Sequence, residues 1–318
     1  MLKLTIQNGK TLYTPLAEEG ITWETARKGV PGKLEFSVVK DKVLSFQEGN
    51  AVRMQLDDKD VFFGYVFTKK RNKDGTIKVT AYDQLRYLKN KDTYYYENLT
   101  AGRLVKKIAE DFFLKTGVVE NTAYVIKSRI EDNKTLFDII QTALDLTLQN
   151  TKKMYVLYDD FGKLTLRSIE ELKLPLLIDR NVAEDFDYTS SIDGETYNKI
   201  KLSYNNEKAN TRDIYMVEDS NRMEAWGVLQ YYESIDENAN GKAKAEALLS
   251  LYNQKTRNLS VSGAIGDIRV RGGSIIAVDL VLGDINLKSY MMVESVRHTF
   301  SSNRHTMDLT LRGGEFIA

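Results

Sequence analysis

The chain contains no cysteine. Disulfides, thiolate metal sites and cysteine nucleophiles are therefore excluded. Only three prolines occur in 318 residues, and no tract is of low complexity, so no long disordered linker is expected. Histidine occurs twice, which leaves little material for imidazole acid–base chemistry or metal ligation. Lys plus Arg and Asp plus Glu are both 45, so the formal net charge is zero. That argues against affinity built on phosphate neutralisation, although contact with nucleic acid inside a channel stays compatible with it. No apolar run approaches the roughly 20 residues that span a bilayer. The opening Met1-Leu2-Lys3-Leu4-Thr5-Ile6-Gln7-Asn8 lacks the apolar stretch of a signal peptide. The expectation is a protein made and folded in a cytosol, with no membrane anchoring.

What is present is alternation. The last sixty or so residues read as an antiparallel β unit. Leu259 and Val261 alternate in one strand, Ser274 to Val278 form a second, Tyr290 to Val296 a third, and Met307, Leu309 and Leu311 share one face of a fourth. Turns are expected at Arg271-Gly272-Gly273, Gly283-Asp284 and Ser301-Ser302-Asn303. Residues 34 to 81 repeat the pattern. Leu34, Phe36 and Val38 alternate, then Val52, Met54 and Leu56, then Phe63 to Phe67, then Ile77, Val79 and Ala81. Eleven residues separate Val66 from Ile77, and eleven separate Val296 from Met307. These spacings predict a duplicated small β-barrel, with Ile77, Val79, Met307 and Leu309 buried at equivalent places. Two unrelated meanders are the plainer alternative.

Between the two units lies a different grammar. Tyr94, Tyr95 and Tyr96 follow one another in a β-prone stretch. Three successive side chains cannot all enter one core, so at least one points outward, where an amphipathic ring suits a partner interface. A strand half buried under a helix is the other reading. A helix is predicted over 100–116, capped by Thr100, with Leu104, Val105, Ile108, Ala109, Phe112 and Phe113 as its stripe. A second is predicted over 135–149, capped by Asp132 or Asn133. A hairpin from Met154 to Ile169 turns at Asp159 to Gly162. Further on, the Ile200, Leu202, Tyr204 strand is assigned to the second barrel. Trp226 to Glu233 reads as an apolar strand or turn, and Lys242 to Lys255 as a third helix with Ala243, Ala247 and Leu248 on its buried side. The chain is thus mainly β with an α+β insertion: two similar small barrels, a helix-helix-hairpin domain and a helix in the C-terminal half. The expected divisions are 1–90 first barrel, 91–174 α+β domain, 175–205 start of the second barrel, 206–255 inserted strand and helix segment, and 256–318 the rest of the second barrel.

Residues for chemistry are scarce. His298 and His305 mirror each other about the Ser301-Ser302 turn and could face across a hairpin, but no third ligand is evident; a structural surface pair is the expectation. Arg271-Gly272-Gly273 lacks the spacing and the helix of a phosphate loop. Asp57-Asp58-Lys59-Asp60 begins like a calcium loop but lacks the central Gly and closing Glu, so it reads as a charged hairpin tip. No catalytic, cofactor-binding or metal residue is assigned, and no cofactor is expected.

Several weak motifs occur in a telling order: Leu34-Glu35-Phe36-Ser37-Val38, Phe63-Gly64-Tyr65-Val66, Ala81-Tyr82-Asp83, Trp226 to Glu233, Gly266-Asp267-Ile268-Arg269-Val270-Arg271-Gly272-Gly273, Val296-Arg297-His298 and His305-Thr306-Met307-Asp308-Leu309. Together they make the chain resemble, over its full length, the XkdQ family of tail proteins from PBSX-like prophages. That family is similar to the baseplate hubs of contractile-tailed phages and to the hub part of type VI secretion spike proteins. The resemblance implies a structural, non-enzymatic homotrimer with two barrels per chain, whose six barrels join a six-fold tail tube to a three-fold central spike. The implied partners are the tail tube protein, the central spike protein and other baseplate proteins, with passing contact with DNA in the lumen. The implied location is the cytoplasm during assembly, then the baseplate of a phage, prophage or bacteriocin particle. The chain ends at Ala318 soon after the second β unit, so spike and hydrolase are expected on separate chains. Two other readings compete: a glycan- or receptor-binding module using Tyr94, Tyr95 and Tyr96, and a tail-associated peptidoglycan hydrolase.

Overall fold

A computed structural model describes residues 1–206, 211–235, 240–282, 285–301 and 304–313. The turns expected at Gly283-Asp284 and Ser302-Asn303 lie outside the described residues.

The first β unit comprises β1 (Leu2–Asn8), β2 (Thr11–Tyr13), β3 (Ile21–Ala26), β4 (Lys33–Val39), β5 (Ala51–Leu56), β6 (Lys59–Arg71) and β7 (Thr76–Tyr82). Period-2 alternation does what it predicts. Leu34, Phe36 and Val38 of β4 lie opposite Ala81, Val79 and Ile77 of β7, and all six side chains are buried in one core. Asp57 and Asp58, both in left-handed backbone, form the tip between β5 and β6.

A short 3-10 helix (Gln84–Lys89) leads to the α+β region: β8 (Lys91–Thr100), α1 (Ala101–Asp111), β9 (Thr116–Val119), β10 (Val125–Thr135), α2 (Leu136–Thr151), β11 (Tyr155–Asp159) and β12 (Leu164–Ser168). Thr100 caps α1 as expected, but the helix stops at Asp111. Phe113 adopts a left-handed φ of 54°, turns the chain out of the helix and is 95% exposed, so it leaves the predicted stripe. The cap of α2 is Thr135, whose Oγ1 accepts from Asp138 N at 3.1 Å. Asp132 and Asn133 do not cap it, because both belong to the irregular end of β10. The helical stripes Leu104, Ile108, Leu136 and Ile140 meet Leu164 and Leu166 of the hairpin in a second core.

After a second 3-10 helix (Ile169–Leu172) come β13 (Lys173–Asp179) and β14 (Asp185–Ser191). Then β15 (Lys199–Asn206), β16 (Thr211–Glu218), α3 (Ser220–Trp226), β17 (Gln230–Ser234) and α4 (Gly241–Tyr252) form a unit of their own. The Ile200 strand is β15, and it pairs with β16 and β17 rather than with the second β unit. Ile200 and Leu202 are buried against Ala245 and Leu248 of α4, a separate small core. The buried face of α4 thus runs through Ala245, leaving Ala243 exposed. Trp226 closes a helix capped by Asp219, not a strand; Gly227 at φ 76° ends it. The chain finishes with β18 (Thr256–Ile265), β19 (Ile275–Leu282), β20 (Ile285–Ser301) and β21 (Arg304–Gly313).

The two β units share an order. In the sheet, the first runs β3-β4-β7-β6-β5-β1 and the second β14-β18-β21-β20-β19-β13. Each sequence-ordered set of six strands takes the same places. The irregularities coincide as well: both ladders carry a β-bulge at one level, between Val66 and Thr68 of β6 and between Val293 and Ser295 of β20. Val66 lies opposite Ala81, and Val293 opposite Leu311. The counterpart of Val66 is therefore Val293, not the Val296 that equal spacing suggested, because the hairpin loops differ in length. Two strands depart from the pattern: β2, paired with β1, has no described counterpart, and β1 is antiparallel to β5, whereas β13 is parallel to β19.

Neither unit is a closed barrel. Both belong to one continuous thirteen-stranded sheet. The first curls until Ala17 meets Val38 in a single bridge, which is not a full ladder. In the second, the 17-residue β20 leaves β19 and continues onto β3, so hydrogen bonds that would close the unit instead join it to its neighbour.

Ile77, Val79, Met307 and Leu309 are each at most 3% exposed. Val79→Asp and Leu309→Asp should each lower the unfolding free energy by about 3–5 kcal/mol, since either places a charge in an apolar core. Urea titration of each variant measures this.

Candidate functional site

Where β20 crosses onto β3, Ser295 to Phe300 pair antiparallel with Ala26 to Ile21. Four aromatic rings line up along this seam. Trp23 stacks on His298 at 4.8 Å and 20°, and Phe300 stacks on His305 at 4.3 Å and 17°. Nε2 of His298 lies 2.9 Å from the Val270 carbonyl oxygen and must donate to it. Its bare Nδ1 then accepts from Nε2 of His305 at 3.0 Å. The histidines do face each other across the hairpin, but His298 is fully buried and is not a surface residue. Burial holds its pKa down to about 3, and burial also lowers that of His305. Among the described residues, no three of His, Asp and Glu come close enough to hold a metal ion.

Charges flank the seam. The β-bulge turns Glu294 toward β3, where Arg27 N donates to its carbonyl oxygen and Arg27 Nε to its carboxylate, both at 2.9 Å. Glu24 pairs with Lys33 at 2.9 Å and with Arg297 at 3.6 Å. Glu24, Lys33 and Arg297 border an open cavity of about 570 Å³ that spans both units. Gly272 is held close here: a Cβ would lie 2.2 Å from the Ala26 carbonyl carbon. Only glycine allows that approach.

A second junction ties the α+β region to both units. Asp83, buried, accepts from Gly32 N at 2.9 Å and from Leu85 N at 3.0 Å. Arg271 donates to the Asp159 carbonyl at 3.0 Å and stacks over Tyr158 at 4.6 Å. Desolvation, aided by the nearby Asp159, raises the Asp83 pKa well above the usual carboxyl range. Desolvation also pushes Asp159 up to about 6. Sequence reasoning missed this cluster, since its members lie far apart in the chain. The Ala81-Tyr82-Asp83 motif was the one visible signal.

The three tyrosines separate. Tyr94 and Tyr96 are buried on one face of β8, and Tyr95 is 57% exposed on the other, directly opposite Ile130, itself 69% exposed. Tyr94 Oη donates to Asp111 at 2.8 Å. Only Tyr95 of the three offers its ring to solvent. No described helix is long and apolar enough to cross a membrane.

This mainly β architecture, with an α+β region set into a doubled sheet, is a fold shared with tail proteins of known structure. It matches the 43 kDa tail protein of prophage MuSo2 from Shewanella oneidensis with a TM-score of 0.71 at 13% identity, covering 97% of this chain and 98% of that one. It also matches an E. coli type VI secretion component, c3393, described as similar to the T4 tail proteins gp27 and gp5 (TM-score 0.55, 12% identity, 99% of this chain and 78% of that one). A family model described as YQBQ-like matches residues 21–312, and the chain belongs to that family. Two proteins of Bacillus subtilis (strain 168) are similar over nearly their whole lengths. YqbQ is 29% identical over 310 residues, and XkdQ of the phage-like element PBSX is 29% identical over 309; each match covers 94% of this chain and 93% of the relative.

The seam predicts a pH dependence. The folded chain keeps His298 neutral, whereas an unfolded histidine protonates near pH 6.5. The unfolded state therefore binds more protons below that pH, and the stability contributed by neutral His298 is lost as the pH falls. The raised carboxyls Asp83 and Asp159 act in the opposite sense: their contribution is fully present below the ordinary carboxyl pKa and is lost as the pH rises through their raised values, about 6 for Asp159. Subtracting the curve of His298→Phe from that of the wild type isolates the histidine. The difference should fall by about 2 kcal/mol between pH 7 and pH 5.

Proposed function

We propose that this protein is a structural baseplate hub of a contractile tail or tail-like particle. Three copies join the six-fold tail tube to the three-fold central spike. The observation that carries the reading is the doubled β unit: two sets of six strands, alike in order and in bulge position, fused side by side in one sheet. Three such chains present six near-equivalent units around a ring, about 60° apart. A six-fold tube can meet that ring with similar contacts at every position. The elements that differ between units, the inserted β15–β17 and α4 unit above all, recur only three times and suit a three-fold partner. Membership of the YQBQ-like family, with a fold shared by prophage tail proteins, supports the assignment.

The remaining assignments follow from it. Residues 1–90 form one half of the hub ring and β13, β14 and β18–β21 the other, with the β15–α4 unit inserted into the second half and residues 91–174 forming an outer α+β domain. Other baseplate proteins dock on such outer surfaces, for which Tyr95 with Ile130 is the candidate contact. Zero formal net charge suits passing contact with DNA in the lumen without holding it. The protein assembles in the bacterial cytoplasm and ends in the baseplate. A non-enzymatic role belongs to the same reading: the pocket lined by the buried carboxyls Asp83 and Asp159 offers only about 20 Å³, too little for a substrate.

Cryo-electron microscopy of assembled particles should show three copies in a ring of approximate six-fold symmetry; two or six copies would overturn the reading. Purified chain in a peptidoglycan zymogram should leave no cleared band. Clearing abolished by one Asp or Glu substitution would assign the hydrolase role instead.

A further inference from the structure

The seam inside one chain is a template for the seam between chains. Strand β20 of the second unit pairs with β3 of the first. By the shared strand order, the counterpart of β20 is β6 and the counterpart of β3 is β14. Both counterparts have a vacant edge among the described residues. Beyond Val66, which exchanges backbone hydrogen bonds with Gly49 and Asn50, β6 has β7 as its only strand neighbour, and β14 has only β18. We propose that the C-terminal half of β6 pairs antiparallel with β14 of a second copy of this chain. This rests on the three-copy reading above and specifies its subunit contact.

The ladders fix the register. Ser295 and Thr68 follow the same bulge and lie opposite Thr310 and Thr80, so they are equivalent. Trp23 lies opposite Leu34 and Tyr188 opposite Leu259; Leu34 and Leu259 lie in turn opposite Ala81 and Leu311. Carrying the pairs of the internal seam across places Thr68 opposite Ser191, Lys70 opposite Thr189 and Arg71 opposite Tyr188 of the neighbour.

The chemistry agrees with that register. Arg71 takes the place of His298 and Tyr188 that of Trp23, so a guanidinium would stack on a ring where an imidazole stacks on an indole. Lys70 and Arg71 are exposed at one edge, and Asp185 and Asp187 at the other. Internally Arg297, the counterpart of Lys70, pairs with Glu24; Thr189 takes the place of Glu24, and Asp187, two residues along β14, is the nearest acid on that strand. Phe186 and Tyr188 are half-buried, whereas their counterparts Ile21 and Trp23, covered by β20, are each 3% exposed. A neighbouring strand would bury the two aromatics in the same way. Edge strands this polar resist random pairing and select a partner of opposite charge.

The absence of cysteine gives a clean background for a test. Lys70→Cys with Thr189→Cys, in particles treated with a short bis-maleimide, should give covalent dimers and closed trimers, while either single variant gives monomer. Particles that hold three copies but show no cross-link would overturn the strand pairing and leave the trimer standing. A different copy number would overturn both. Separately, Lys70→Glu with Arg71→Glu, at exposed positions, should leave the fold intact by circular dichroism and cut incorporation into particles at least tenfold. Unchanged incorporation would overturn the proposal.

Discussion

The fold depends on one hydrogen-bond ladder, the stretch of β20 that has left β19 and lies on β3. Without it the chain would be two separate curled sheets, each with a strand edge left open. With it, two similar units become one surface whose relative orientation is set by backbone geometry, which is far stiffer than side-chain packing across an ordinary domain contact. The bulge before Ser295 is part of that constraint. It adds a residue on one strand, bends the strand toward its new partner and aims Glu294 at Arg27.

The α+β region is fixed by a different kind of force. Asp83 is buried where two β units and a hairpin meet, accepting backbone hydrogen bonds while Arg271 reaches across to Asp159. Burying carboxyls is unfavourable, and groups of this sort contribute more to a unique arrangement than to raw stability. Apolar contacts alone would tolerate small rotations between units. Directional bonds to Gly32, Leu85 and Arg271 tolerate few.

Much of this was legible in the sequence, for reasons of period. Alternation in Leu34 to Val38 and Met307 to Leu311 located strands and their buried faces, and the stripe from Leu136 to Thr147 located a helix. What failed was non-local. Ile200 alternates as well as any strand of the second unit, but nothing local says which neighbour it will pair with, and α4 supplied a closer apolar face. Closure into barrels was inferred from strand number and spacing; whether a last strand returns to the first or passes to a neighbour is decided by its length and bend. The histidines were correctly placed face to face, but the burial of His298 required Trp23, distant in sequence, to lie over it. Of the tyrosine triplet, alternation alone dictated that Tyr95 differs from its neighbours.

One more consequence lies in the gap between β14 and β18. Ser191 and Thr256 are cross-strand partners, and Thr256 Oγ1 donates to the Ser191 carbonyl at 3.1 Å. The chain leaves and re-enters the sheet at one point, as across a hairpin turn, while the corresponding link from β3 to β4 is a short loop. The segment between folds on its own core of Ile200, Leu202, Ala245 and Leu248. Enlarging such a link costs only logarithmically in loop entropy, so the site accepts an autonomous module without disturbing the sheet. The position is a natural graft point, where one module can be exchanged for another on the same frame.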